Sequence, residues 1–168
     1  MRSNQRPRAT AESYVSQIKA DLKDAWLPSI YTERIRKLRT RAYTFESLPV
    51  KSPVEIQHTL LGVELKAGRR RMLCPDLATA RYLSVFAKAD CKQIAVPYDI
   101  TKISQLADQL DSAWHRALLL ADYLTAGEGT ALRSRVRRML VDRIRDEVES
   151  AGAGPATPTF EQSTKQRR

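Results

Sequence analysis

An α+β chain, predominantly helical with a small sheet of about three strands, is what three features of this 168-residue sequence predict. Apolar residues recur at helical spacing through the first quarter and the last third. The middle instead holds short apolar or alternating runs bounded by Gly and Pro. One of those runs leads into a helix and then another apolar run, the order of a strand–helix–strand (βαβ) unit. The length suits one compact domain, over residues 10–150. A basic arm precedes it at 1–9. A tail follows at 151–168, where Gly, Pro, Thr, Gln and terminal Arg bury too little apolar surface to become ordered.

In chain order, Thr10 is placed to cap a helix in which Tyr14, Ile18, Leu22 and Ala25 share a face. Trp26, Leu27 and Pro28 end it. A second helix is predicted to about Phe45, because Tyr31, Ile35, Leu38, Ala42 and Phe45 form a heptad-like seam. Pro49 and Pro53 punctuate a connector. Residues Thr59 to Lys66 and Arg70 to Cys74 read as two strands around a turn at Ala67-Gly68. Asp76 is placed to cap a helix to about Ala89, apolar around much of its circumference and therefore largely buried. Gln93 to Pro97 reads as a strand parallel to the one ending at Cys74, joined through a right-handed crossover. Asp99 or Thr101 opens the longest helix, to about Thr125, along a stripe from Ile103 through Leu110 and Trp114 to Leu124. Gly127 and Gly129 break it. Thr130 caps a last helix with Leu132, Val136, Leu140, Ile144 and Val148 on one side, which makes a C-terminal antiparallel helical hairpin.

Charge is the functional signal. The chain has 29 Lys plus Arg against 19 Asp plus Glu, a formal net charge of +10. Its sequence pI is about 9.9. Three blocks concentrate the excess. On the predicted second helix, Arg34, Lys37 and Arg41 fall on one stripe. At the hairpin turn stand Lys66, Arg69, Arg70 and Arg71. On the last helix, Arg133, Arg135, Arg137 and Arg138 come first, and Asp142, Asp146, Glu147 and Glu149 follow. That order opposes the helix macrodipole, which favours acids at the start and bases at the end. Clustered arginine on ordered elements repels itself, and its planar fork suits phosphate oxygens. Each block also has a bland reading. The first is then a solvated face balanced by Glu33 and Glu46, and the hairpin cations protect a strand edge. The last arginines pair with the acidic face of the helix beginning near Asp99. Tyr31 and Phe45 are assigned to core packing rather than to base stacking, and Trp26 and Trp114 to core or interface anchoring.

Catalytic patterns are weaker. The loop from Cys74 to Arg81 is similar to a phosphate-binding cysteine loop. Six residues intervene, however, where cysteine phosphatases have five, and Asp76 would repel an oxyanion. Glu64-Leu65-Lys66, with Glu55, is similar to the carboxylate–lysine pattern of Mg²⁺-dependent nucleases. His58 and His115 lie far apart in sequence, and with Cys74 and Cys91 they lack zinc spacing, so no metal or cofactor is expected. The two cysteines read as reduced, buried thiols. No apolar run approaches the ~20 residues that span a bilayer, and no signal region follows the basic N-terminus, so a cytoplasmic protein without a membrane partner is expected. The leading expectation is a non-enzymatic nucleic-acid-binding protein, a regulator or a component of a nucleoprotein assembly, with DNA and RNA undistinguished. The alternative is a basic adaptor docking on an acidic protein partner through helical surfaces. A third reading is the nuclease. The helical seams are also compatible with a homodimer.

Overall fold

The computed structural model describes residues 8–45 and 53–154. The arm before Arg8, the connector residues 46–52 and the tail beyond Gly154 lie outside them, as do the expectations that fall there. The chain is a predominantly helical α+β fold with two small antiparallel sheets. Helix α1 (Ala11–Leu22) is capped by Thr10, whose hydroxyl accepts the Ser13 N–H at 3.2 Å. A short helix α2 (Leu27–Ile30) continues into a π-turn over Tyr31–Ile35, closed by Arg36 N–H to Tyr31 C=O at 2.9 Å.

Here the structure corrects the predicted second helix. It stops by Arg36, and Thr40–Thr44 is strand β1. The seam positions 38, 42 and 45 matched helical spacing. The residues Thr40-Arg41-Ala42-Tyr43-Thr44, however, are rich in β-branched and aromatic types. Ala42 is exposed rather than part of a buried seam.

Strands β2 (Val54–Thr59), β3 (Gly62–Ala67) and β4 (Arg70–Cys74) form an antiparallel meander in that order. The run predicted as one strand from Thr59 is therefore broken, and β2 occupies what was read as connector. At the break Leu60 and Leu61 project into solvent, and the Thr59 hydroxyl accepts the Leu61 N–H at 3.2 Å. The β3–β4 turn has Gly68 at its first position with φ 61°, the left-handed backbone that a two-residue turn of this kind requires. Helix α3 (Leu77–Lys88) is capped by Asp76, which accepts the Thr79 N–H at 2.7 Å. It is buried around most of its girth, between the meander and helix α4 (Ile100–Leu124).

Strand β5 (Gln93–Pro97) does not complete a parallel βαβ unit with β4. It pairs antiparallel with β1, Ala95 opposite Ala42. The other edge of β5 is closed by side chains: the Tyr31 hydroxyl accepts the Ala95 N–H at 2.9 Å, and the Tyr82 hydroxyl donates to the Ala95 C=O at 2.6 Å. With both backbone groups of Ala95 satisfied in this way, no further strand can add at that residue. Cys74 and Cys91 are free and buried, as expected.

Helix α5 (Thr130–Ala151) returns along α4, as the predicted hairpin requires, and both pack on α1. Its N-cap is Gly129, with no side-chain cap, rather than Thr130. Val136, Leu140, Ile144 and Val148 are fully buried, as are Trp26, Tyr31, Tyr82 and Phe86 from the other elements.

Candidate nucleic-acid interface

The first basic block is dispersed by the end of the helix at Arg36. Arg34 hydrogen-bonds the Gln109 side chain of α4. Arg36 is turned inward: its Nε donates to Ala151 C=O at 3.0 Å and Nη1 to Gly154 C=O at 3.3 Å, so it caps the C-terminus of α5. Arg39 lies over the Tyr98 ring at 5.0 Å. Lys37 and Arg41 are exposed, Arg41 on β1 opposite Val96. Arg34, Lys37 and Arg41 are therefore not one helical stripe. What sequence reading missed here is Arg116, which lines a shallow cavity beside Arg34 together with Asp24 and Asp108.

The hairpin block is split between faces. Paired residues of adjacent antiparallel strands share a face. Lys66 lies between Glu55 and Arg71 on the face away from the buried Leu65, whereas Arg70 shares its row with Ala67 on the inner side, and Arg69 sits in the turn. The register also places Glu55 and Glu64 on the Lys66 face, and one Glu64 carboxylate oxygen is buried without a hydrogen-bond partner among the described residues. No group of three metal-ligating side chains occurs among the described residues.

Helix α5 is different. Two of its four acids are committed to the body of the protein, and the other two to an arginine of the same helix. Glu147 takes Lys19 at 2.8 Å and the Trp26 indole N–H at 3.2 Å, and Glu149 accepts the Lys92 N–H at 3.0 Å. Asp142 and Asp146 hold Arg145 at 3.2 and 3.3 Å. These contacts explain why acids occupy the wrong end of this helix dipole, and Arg36 supplies the missing cation at its C-terminus. The basic half has no such explanation. Arg133, Arg135 and Arg138 are exposed with no carboxylate partner among the described residues, and Arg137 has Asp122 of α4 at 3.6 Å. The bland reading in which α4 neutralises the whole cluster therefore holds for one arginine of four.

Beside this cluster runs a groove of about 370 Å³ between the two helices, floored by Trp114, Leu118 and Val141 and rimmed by Arg137 and Arg138. Leu119 and Tyr123 stand exposed on α4 at 68% and 77%. Their signal was in the sequence, since both are apolar yet fall off the α4 stripe. A second groove, about 420 Å³, brings together His58 of β2 and His115 of α4 with Arg81, Ser84, Lys88 and Asp111. Its charges are internally engaged. Arg81 bridges Asp108 at 2.7 Å and Asp111 at 3.9 Å, and His115 lies 3.6 Å from Asp111.

No family model, curated protein or solved structure matches the chain. No helix among the described residues is long and apolar enough to cross a membrane.

The three blocks do not merge. Gln109 and Asp122, which mark the first and last blocks on α4, are roughly 20 Å apart along the helix and on faces about 140° apart. Of the candidates named from sequence, the structure gathers one group on a single rigid element: Arg133, Arg135, Arg137 and Arg138.

Proposed function

We propose that this chain is a non-enzymatic nucleic-acid-binding protein of the cytoplasm, a regulator or a component of a nucleoprotein assembly, that binds phosphates through the first half of α5. One observation carries the reading: the acids of that helix are already paired, Glu147 and Glu149 with other elements and Asp142 and Asp146 with Arg145, while three of its four clustered arginines are exposed without a carboxylate partner among the described residues. Like charges held this close on a rigid element destabilise the free protein, and a polyanion relieves them. Arg41, Lys66 and Arg71 add dispersed positive potential, which attracts the same partner.

The test is fluorescence anisotropy of labelled DNA and RNA with the full chain, begun at ~50 mM salt and titrated upward. Binding that weakens steeply with salt, and that Arg133→Gln with Arg137→Gln and Arg138→Gln reduces, supports the proposal. Absence of binding to every nucleic acid at that salt overturns it.

A second reading rests on the groove floored by Trp114, Leu118 and Val141. An apolar floor with an arginine rim suits an acidic amphipathic segment of a partner protein. Leu118→Asp, in the floor of that groove, abolishes that association and leaves phosphate contacts in place. The nuclease reading, resting on Glu55, Glu64 and Lys66, calls for Mg²⁺-dependent cleavage that Glu64→Ala removes.

A further inference from the structure

We infer that the first half of α5 seats in the major groove of double-stranded DNA, which makes B-form duplex the partner class. This rests on the nucleic-acid reading above and adds to it a shape. At 100° per residue, measured around the axis from the buried Val136, Arg133 and Arg137 stand at about 60° and 100°, and Arg138 and Arg135 at about 200° and 260°. The cations thus fan over some 200° of the helix, a pair on each flank. Between the pairs, at about 160°, stands Ser134, small and exposed, while Ala131, also small and exposed, lies at about 220° between Arg138 and Arg135.

Cations spread over two flanks, with the small Ser134 at the crest between them, fit a concave anion better than a flat one. A single strand laid along the helix reaches one flank and leaves the other unpaired. The B-form major groove, about 12 Å wide, admits a helix and presents a phosphate backbone on each side of it. A-form RNA has a deep, narrow major groove that excludes a helix. The rear of α5 is seated by Val136 and Leu140 against the body, so the fan is presented in one geometry and little is lost in ordering it. The orientation is set as well. The first turn has no side-chain cap, so its free N–H groups face the phosphates. Beyond Arg138 the cations Arg143 and Arg145 are paired with acids of the same helix, so a backbone that extends further finds no unpaired cluster there.

The experiment compares the full chain on a 20-base-pair DNA duplex, the RNA duplex of the same sequence and each single strand, at one salt concentration. Dimethyl sulfate probing of guanine N7, a major-groove atom, accompanies it. The duplex DNA should bind at least about tenfold more tightly than RNA duplex or single strands, with N7 protected. The flank variants Arg133→Gln/Arg137→Gln and Arg135→Gln/Arg138→Gln should each weaken duplex binding, with helical circular dichroism unchanged. Equal or tighter binding of RNA or single strands, unprotected N7, or one flank variant without effect overturns the groove inference and leaves the nucleic-acid reading standing. Failure to bind any of the probes overturns that reading itself.

Discussion

The hydroxyl of Tyr31 joins backbone groups far apart in the chain, accepting from the Ala95 N–H at 2.9 Å and donating to the Gly152 C=O at 2.8 Å. Its ring packs edge-on against Phe86 at 5.6 Å. Tyr31→Phe keeps that packing but strands an N–H and a C=O in the interior, which should cost about 1–3 kcal/mol for each group left unsatisfied. Chemical denaturation should register the loss, and an unchanged midpoint would contradict the closed-edge account of β5. Burial acts on the thiol of Cys91 as well, pushing it up to about 12, with the neighbouring Glu149 carboxylate adding to the rise. The unfolded chain releases this proton near the ordinary value of 9.0, whereas the folded chain holds it to about 12. Between those limits the unfolded state binds fewer protons, so stability falls as pH rises. Tyr82 and Tyr31, both raised chiefly by burial, push the same way at higher pH. The melting temperature should therefore decline from about pH 9 upward, and Cys91→Ala should flatten the first part of that decline.

At the scale of the element, α5 is two half-helices with different work. The C-terminal half is docked, through Glu147 to α1 and Trp26, through Glu149 to Lys92, and through Arg36 to its last carbonyls. Arg36→Gln removes a cation from the negative end of the dipole and a charge-assisted hydrogen bond. It should lower stability by about 1–2 kcal/mol and leave nucleic-acid affinity in place. The triple change Arg133→Gln, Arg137→Gln, Arg138→Gln should do the reverse: weaker binding, with a melting temperature unchanged or slightly raised, because repulsion at the positive end of the dipole is relieved. Measuring both properties on both variants separates structural from functional arginine. Truncation needs the same care. Ending the chain after Ser150 would remove the Gly152 carbonyl that Tyr31 uses and the buried Ala153. Deleting residues 155–168 takes away Lys165, Arg167 and Arg168 without touching those contacts. That deletion should weaken binding less than the triple substitution does, since the α5 cations are held on a docked helix and little is lost in ordering them.

Across the whole molecule, positive charge is dispersed in strength but concentrated in geometry. The net charge of +10 supplies long-range attraction, which salt screens. Each phosphate contact should contribute roughly 0.9 to the slope of log affinity against log salt for duplex DNA. The triple α5 variant should therefore flatten that slope by about 2–3, and a slope unaltered from the parent would assign binding to other cations. Legible in the sequence were the α+β class, the caps at Thr10 and Asp76, the buried stripe of α5 and the inversion of its charge order. All of these are read from local spacing along one element, where periodicity and side-chain chemistry act over a few residues. Tertiary structure alone decided that Thr40–Thr44 is a strand, because its spacing fits a helix until β5 offers a partner. It decided as well that β5 turns to β1 rather than β4, since Tyr31 and Tyr82 reach Ala95 from helices remote in sequence. And it decided which arginines are free. Arg36 and Arg138 look alike in the sequence, but one is drawn to the carbonyls of a helix end and the other stands exposed at the rim of a groove with no carboxylate partner among the described residues, a difference set by what the fold brings beside each.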